Sequence, residues 1–84
     1  MIHHAAADFW VAYRALPAEV QALADRAFAL LKSDPHHPSL HFKKVLSFRS
    51  IRVGIHHRAL GVEVKGGILW FWIGNHAEYD RLVK

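Results

Sequence analysis

Ile68-Leu-Trp-Phe-Trp-Ile-Gly-Asn-His-Ala-Glu-Tyr-Asp-Arg-Leu82 is the stretch that decides the fold. Its first six residues are apolar without alternation. A strand reads this way when both its faces are covered, so Ile68–Ile73 is expected to be an interior strand. Gly74 ends it. Asn75, followed three positions later by Glu78, has the spacing of a helix N-cap with a capping-box partner, so a short helix is expected to begin at His76. That helix places His76, Tyr79 and Asp80 on one face, because residues three and four apart are neighbours. A His and a Tyr delivered to a sheet edge look like a site, and they equally suit a well-capped terminal helix.

Upstream, Gly66-Gly67 carries the signal of a two-residue hairpin turn, and His56–Lys65 before it reads as a strand. Gly54 interrupts the pattern, and Ile51 and Val53 alternate with Arg52 ahead of it. His41–Phe48 reads as one further β-rich run, with Phe42, Leu46 and Phe48 on one face and Lys43 on the other. Ser33-Asp-Pro-His-His-Pro38 is a turn on composition. The strongest helical pattern is Val20, Leu23, Ala24, Ala27, Phe28 and Leu31, a stripe at helical spacing, with Pro17 suited to the first helical position. A shorter helix is expected over Phe9–Leu16 with Asp8 as its cap, and Met1–Ala7 shows no pattern. The expected architecture is α+β. Two N-terminal helices pack on an antiparallel meander of about three to four strands, and a short C-terminal helix follows, in one domain over residues 1–84.

The 84 residues, 52% of them hydrophobic, suffice for one modest core. With no cysteine, neither a disulfide framework nor a thiolate metal site can form. The longest apolar run is too short to cross a bilayer, and no basic segment followed by an apolar run opens the chain. A cytoplasmic protein without a membrane partner is the expectation. Charge is uneven. Arg14, Arg26 and Lys32 face Asp8, Glu19, Asp25 and Asp34 in the first forty residues, a net of one negative charge. The remainder sets eight Lys or Arg against Glu63, Glu78 and Asp80, a net of five positive charges. Such a basic half suits a polyanion such as nucleic acid or the ribosome, or is a solvated face that keeps the protein soluble.

Arg52 and Arg58 flank Gly54, and one residue of register decides their relation. A Gly54-Ile55 turn puts them on opposite faces, and a Gly54–His56 loop makes them face each other. Two adjacent guanidinium groups are unfavourable unless an anion lies between them, and a phosphate matches their fork geometry. His76 is the candidate acid or base, since an imidazole exchanges protons near neutrality. The eight histidines fall in pairs and singles without a metal-binding spacing, so no metal or cofactor is expected. No Walker loop and no Gly-x-Ser-x-Gly elbow occurs, which removes the NTPase and serine hydrolase classes. Metal-independent phosphodiester cleavage stays open. It needs a proton acceptor for a 2′-hydroxyl, cations for the crowded phosphate and a donor for the leaving oxygen.

Leu16-Pro17-Ala18-Glu19-Val20, the Asp34–Leu40 turn, Phe42-Lys43-Lys44, Ser50-Ile51-Arg52-Val53-Gly54, His57-Arg58-Ala59-Leu60 and Trp72–Asp80 occur in this order. Together they resemble the RelE/ParE superfamily of toxins from bacterial type II toxin–antitoxin pairs, nearest its short ParE-like, cytotoxic translational repressor branch. The resemblance covers the chain from Phe9 onward. It implies a small α/β toxin neutralised by a wrapping antitoxin, acting either as a ribosome-dependent, metal-independent mRNA endoribonuclease or on DNA gyrase. A non-catalytic antitoxin-binding module is the third possibility. By motif position Arg58 matches the arginine that contacts the scissile phosphate, and Arg52 a basic position on the preceding strand. His76 falls at a catalytic Arg or His position and Tyr79 near a C-terminal tyrosine. Lys43, Lys44 and Arg49 would contact the RNA backbone. Two departures are visible: the family's N-terminal strand is missing from Met1–Ala7, and the tyrosine follows His76 by only three residues.

Overall fold

The computed structural model describes residues 1–83, so Lys84, the last residue of the expected domain, lies outside the described residues. The order is β1 (Ile2–Ala5), α1 (Ala7–Arg14), α2 (Ala18–Ser33), a 3₁₀ turn (Pro38–Leu40), β2 (Lys43–Val45), β3 (Phe48–Val53), β4 (His57–Val64), β5 (Gly67–Asn75) and α3 (His76–Leu82). One mixed sheet in the order β1-β5-β4-β3-β2 holds all five strands. The expected meander consists of four antiparallel strands, β2 to β5, and β1 adds to β5 in parallel.

That parallel strand corrects the sequence expectation: the N-terminal strand is present, from Ile2 to Ala5. Ile-His-His-Ala shows no apolar alternation because its place is fixed by pairing rather than by burial of a hydrophobic face. The Ile2 and Ala6 amides donate to the carbonyls of Gly66 and Trp70, and the Trp70 indole N–H donates to His3 Nδ1 at 3.1 Å.

β5 is interior, between β1 and β4. Its Ile68, Trp70 and Ile73 are buried, whereas Leu69, Phe71 and Trp72 are half-buried, so only one of its faces is closed fully. The closed face meets the helices. Phe9, Ala24 and Leu31 pack there with Leu40, Ile51, Val53, Ala59, Ile68, Trp70 and Ile73. The helical stripe follows the spacing: Val20, Ala24 and Leu31 are buried, and Leu23, Ala27 and Phe28 partly so. Phe28 meets Trp70 edge-on with ring centres 5.3 Å apart.

The helix starts differ slightly from expectation. α1 begins at Ala7 with Ala6 in the cap position and Asp8 in its first turn, and Pro17 caps α2 rather than opening it. Two turns also differ. His41–Phe48 is not one strand, because the chain reverses at Leu46-Ser47 to pair Val45 with Phe48. Leu46 has φ 56°, a conformation that hairpins usually assign to Gly or Asn, so no turn signal was visible there. Phe48 therefore faces away from Phe42. The final hairpin turns on Lys65-Gly66, with Val64 opposite Gly67; Gly66 supplies the positive φ of 81°. Gly67 has another use, since a Cβ there would strike the main chain of Ile2.

Candidate functional site

The β3–β4 register settles the arginine question. Val53 pairs with His57 and Arg52 with Arg58 across the loop Gly54–His56. Ile51, Val53 and Ala59 point into the helix-covered core, so by strand alternation Ser50, Arg52, Arg58 and Leu60 lie on the opposite face. Lys43 pairs with Ser50 and shares that face. Lys44 pairs with Arg49 and falls on the helix side. There Arg49 is bound by Glu63, its Nε donating at 2.7 Å, and its guanidinium stands 5.7 Å from the Phe42 ring centre.

Each arginine of the pair is held by one edge of its guanidinium. Arg52 Nε donates to the Gly54 carbonyl at 3.2 Å, and its Nη1 meets His41 Nε2 at 3.3 Å. Arg52 also lines an open groove of about 330 Å³ between α2 and the β3–β4 loop, with Arg26, Ser39 and Ile55. Arg58 Nη1 donates to the His57 carbonyl at 3.0 Å. With five N–H groups on each guanidinium, most donors of both side chains stay available to an anion. Burial, and then the neighbouring Arg52 charge, push the Arg58 guanidinium below its ordinary range, while Tyr79 and Asp80 act in the opposite sense. The folded chain holds a like-charge pair here that an anion would relieve.

α3 closes one end of this face. Asn75 Oδ1 accepts from the Glu78 amide at 2.8 Å, so the helix starts where the capping spacing predicted. The His76 amide donates to the His56 carbonyl at 2.8 Å, which ties the start of α3 to the loop that pairs the arginines. Tyr79 is buried, and its ring centre lies 5.8 Å from the Arg58 guanidinium. His76 stands 5.9 Å from Tyr79, centre to centre, and its Nδ1 lies 3.2 Å from Asp80 Oδ2. Its side chain is half exposed. Arg52, Arg58, Tyr79 and His76 thus form a continuous series, with Lys43 on the same face. Lys44 and Arg49 are not part of it. His57, whose own pKa is lowered by burial and then by His56, belongs to the helix side.

Two polar groups of this region carried no motif. Ser50, beside Arg52 on β3, is buried and its hydroxyl has no partner. His41 contacts Arg52 from a left-handed backbone conformation, φ 45°. Among the described residues, no three His, Asp or Glu side chains converge as metal ligands. No helix there is long and apolar enough to cross a membrane.

The fold is similar to that of solved RelE toxin structures. The chain superposes on the RelB–RelE antitoxin–toxin complex of Methanococcus jannaschii with a TM-score of 0.73 at 13% identity, covering 96% of this chain and 99% of that one. The isolated RelE toxin of E. coli matches with a TM-score of 0.64 at 8% identity, over 96% of this chain and 94% of the other. A copper-bound mutant toxin from Helicobacter pylori matches at 0.59 and 16% identity, over 90% and 94%. No protein-family model matches the sequence, and no curated protein does. At these identities the shared property is the fold.

Proposed function

We propose that the protein is the toxin of a toxin–antitoxin pair and acts as a ribosome-dependent, metal-independent mRNA endoribonuclease. The observation that carries this reading is the Arg52–Arg58 cross-strand pair, set beside Tyr79 and His76 on the sheet face opposite α1 and α2. Two guanidinium groups present several N–H donors to one phosphate, and their mutual repulsion falls when it binds. His76 accepts the proton of the attacking 2′-hydroxyl. The 2′-oxygen bonds to phosphorus, the bond to the 5′-oxygen breaks, and that oxygen takes a proton from solvent water as it leaves, while His76 returns its proton to solvent. A 2′,3′-cyclic phosphate and a 5′-hydroxyl result. Arg52 and Arg58 stabilise the extra negative charge on the crowded phosphorus. Tyr79 holds the Arg58 guanidinium against its ring and orients the phosphate.

Lys43, on the same face, contacts the adjoining RNA backbone. Lys44 and Arg49, on the other face, attract the polyanion at longer range. The complexed structure among the similar folds, an antitoxin–toxin pair, supports a cognate antitoxin as the protein partner. The reaction is placed in the cytoplasm, where the ribosome is.

Primer extension on cellular mRNA after brief induction tests the reading, with wild type compared against His76→Ala and Arg58→Ala. Codon-phased cleavage that both substitutions abolish is the expected result. Growth arrest with intact mRNA and loss of gyrase supercoiling would refute it in favour of a gyrase-directed toxin. Antitoxin binding without toxicity would leave only a binding module.

A further inference from the structure

The geometry points to His41 as the positioning residue that sets Arg52 for phosphate. The argument begins with the backbone. A non-glycine residue at φ 45° is locally unfavourable, and such a conformation persists only where its surroundings enforce it. Here both neighbours are anchored. Leu40 is 1% exposed in the helix-side core, and Phe42 packs against that same core. The Leu40 amide donates back to His37 and the His41 amide to Pro38, closing the 3₁₀ turn. With Leu40 and Phe42 both directed inward, the residue between them is turned outward, and its ring reaches Arg52.

The chemistry of the contact is one-directional. A guanidinium can only donate, so His41 Nε2 must carry the lone pair and the ring proton must sit on Nδ1. His41 Nε2 and the Gly54 carbonyl then take one N–H each, from Nη1 and Nε of Arg52. Two fixed acceptors on one planar group define its plane. Three N–H groups, one on Nη1 and two on Nη2, remain for an anion. Without His41 the guanidinium turns about its single anchor at Gly54, and the cross-strand pair presents donors in no fixed relation. His41 does not touch the phosphate; it acts through Arg52.

This inference rests on the proposed role of Arg52, and the test separates the two. Four variants are compared in mRNA cleavage on programmed ribosomes: Arg52→Ala, His41→Gly, His41→Gln and the Arg52→Ala/His41→Gly double variant. His41→Gly removes the acceptor while supplying the one residue for which this backbone conformation is unstrained, so its Tm is expected to stay level or rise. Cleavage should nevertheless fall roughly tenfold, the scale of a lost hydrogen bond to a charged group. Gln places an amide oxygen where Nε2 stands and should restore most of the rate. The double variant should be no slower than Arg52→Ala alone.

A substrate-free measurement accompanies the kinetics: the Arg52 Nη1–H signal in ¹⁵N NMR, since that is the group whose N–H His41 accepts. Slow solvent exchange in wild type and His41→Gln, and fast exchange in His41→Gly, supports the positioning. An Arg52→Ala variant that cleaves at the wild-type rate overturns the phosphate role of Arg52. An impaired Arg52→Ala with a fully active His41→Gly, or an Arg52 signal indifferent to residue 41, overturns the role of His41 alone.

Discussion

His3 offers a direct test of how β1 is held. Its Nδ1 accepts from the Trp70 indole at 3.1 Å, and the two rings stack with centres 6.1 Å apart. Trp70 is 1% exposed. Replacing His3 by Leu keeps an apolar side chain beside the indole but removes the acceptor, leaving a donor with little access to water. The cost of such an orphaned group is about 2 kcal/mol. For a domain of this size that lowers Tm by about 8–16 °C. His3→Gln, whose amide oxygen can accept, should retain most of the stability. Trp70→Phe removes the donor, so the His3→Leu/Trp70→Phe double variant should lose less than the sum of the singles.

The same contact sets a pH dependence. Indole only donates, so His3 must be neutral to accept, and the protonated ring has no lone pair to offer. Burial first, then the Lys32 ammonium, the N-terminal ammonium and His4, hold the His3 pKa below its ordinary value. A lowered folded-state pKa means that the unfolded chain binds the proton first as pH falls. Stability from His3 is therefore fully present above about pH 6.5, the unfolded histidine value, and is lost as pH falls toward the lower folded value. His57 is shifted in the same direction and contributes with the same sign. Thermal melts between pH 8 and pH 5 should show a fall in Tm that is shallower in His3→Gln than in wild type. A His3→Leu variant as stable as wild type, or an unchanged pH slope in His3→Gln, refutes the reasoning.

Gly67→Ala should displace β1, because the new Cβ meets the Ile2 main chain, which cannot rotate aside; a loss of about 1–3 kcal/mol is expected. Hydrogen exchange should then show the Ile2 and Ala6 amides unprotected while those of β3 and β4 stay protected. Asn75→Ala removes the cap on the Glu78 amide and should cost about 1 kcal/mol, read as a lower Tm and a faster-exchanging α3. Ser50→Ala removes a buried hydroxyl that has no partner, and chemical denaturation should find it at least as stable as wild type, by up to about 1 kcal/mol.

How legible each element was depends on what fixes it. The α2 stripe and the Asn75 cap were readable because each is a local rule, the helical period in one case and one side chain bonded three residues on in the other. The meander was readable for the same reason, since its strands follow one another. β1 was not. Its partner lies more than sixty residues away, and its decisive contact, His3 to Trp70, follows from parallel pairing that no local pattern encodes. The hairpin at Leu46-Ser47 was hidden because Leu occupies the positive-φ position. At the candidate site, Arg52 and Arg58 were both visible, but their relation depended on one residue of loop length, and only the register decided it. His41 was invisible in its role, because the signal lies in Leu40 and Phe42 on either side being pulled inward.

Three locally unfavourable features lie within a few residues of one another around β3. The guanidinium pair places like charges across a ladder, His41 holds a left-handed backbone, and the Ser50 hydroxyl is buried without a partner. A sequence selected for stability alone has simple remedies for each: an apolar residue or a carboxylate at one arginine, Gly at position 41, Ala at position 50. None touches the helix-side core, where Ile51, Val53 and Ala59 are fully buried and well packed. The core side of β3 thus obeys every packing rule while its other side departs from several. Departures of this kind concentrate where binding needs a geometry that folding does not favour. An anion between Arg52 and Arg58 would turn the largest of them, the like-charge pair, into an attraction, and that reversal would make the open face a binding surface rather than a flaw in the sheet.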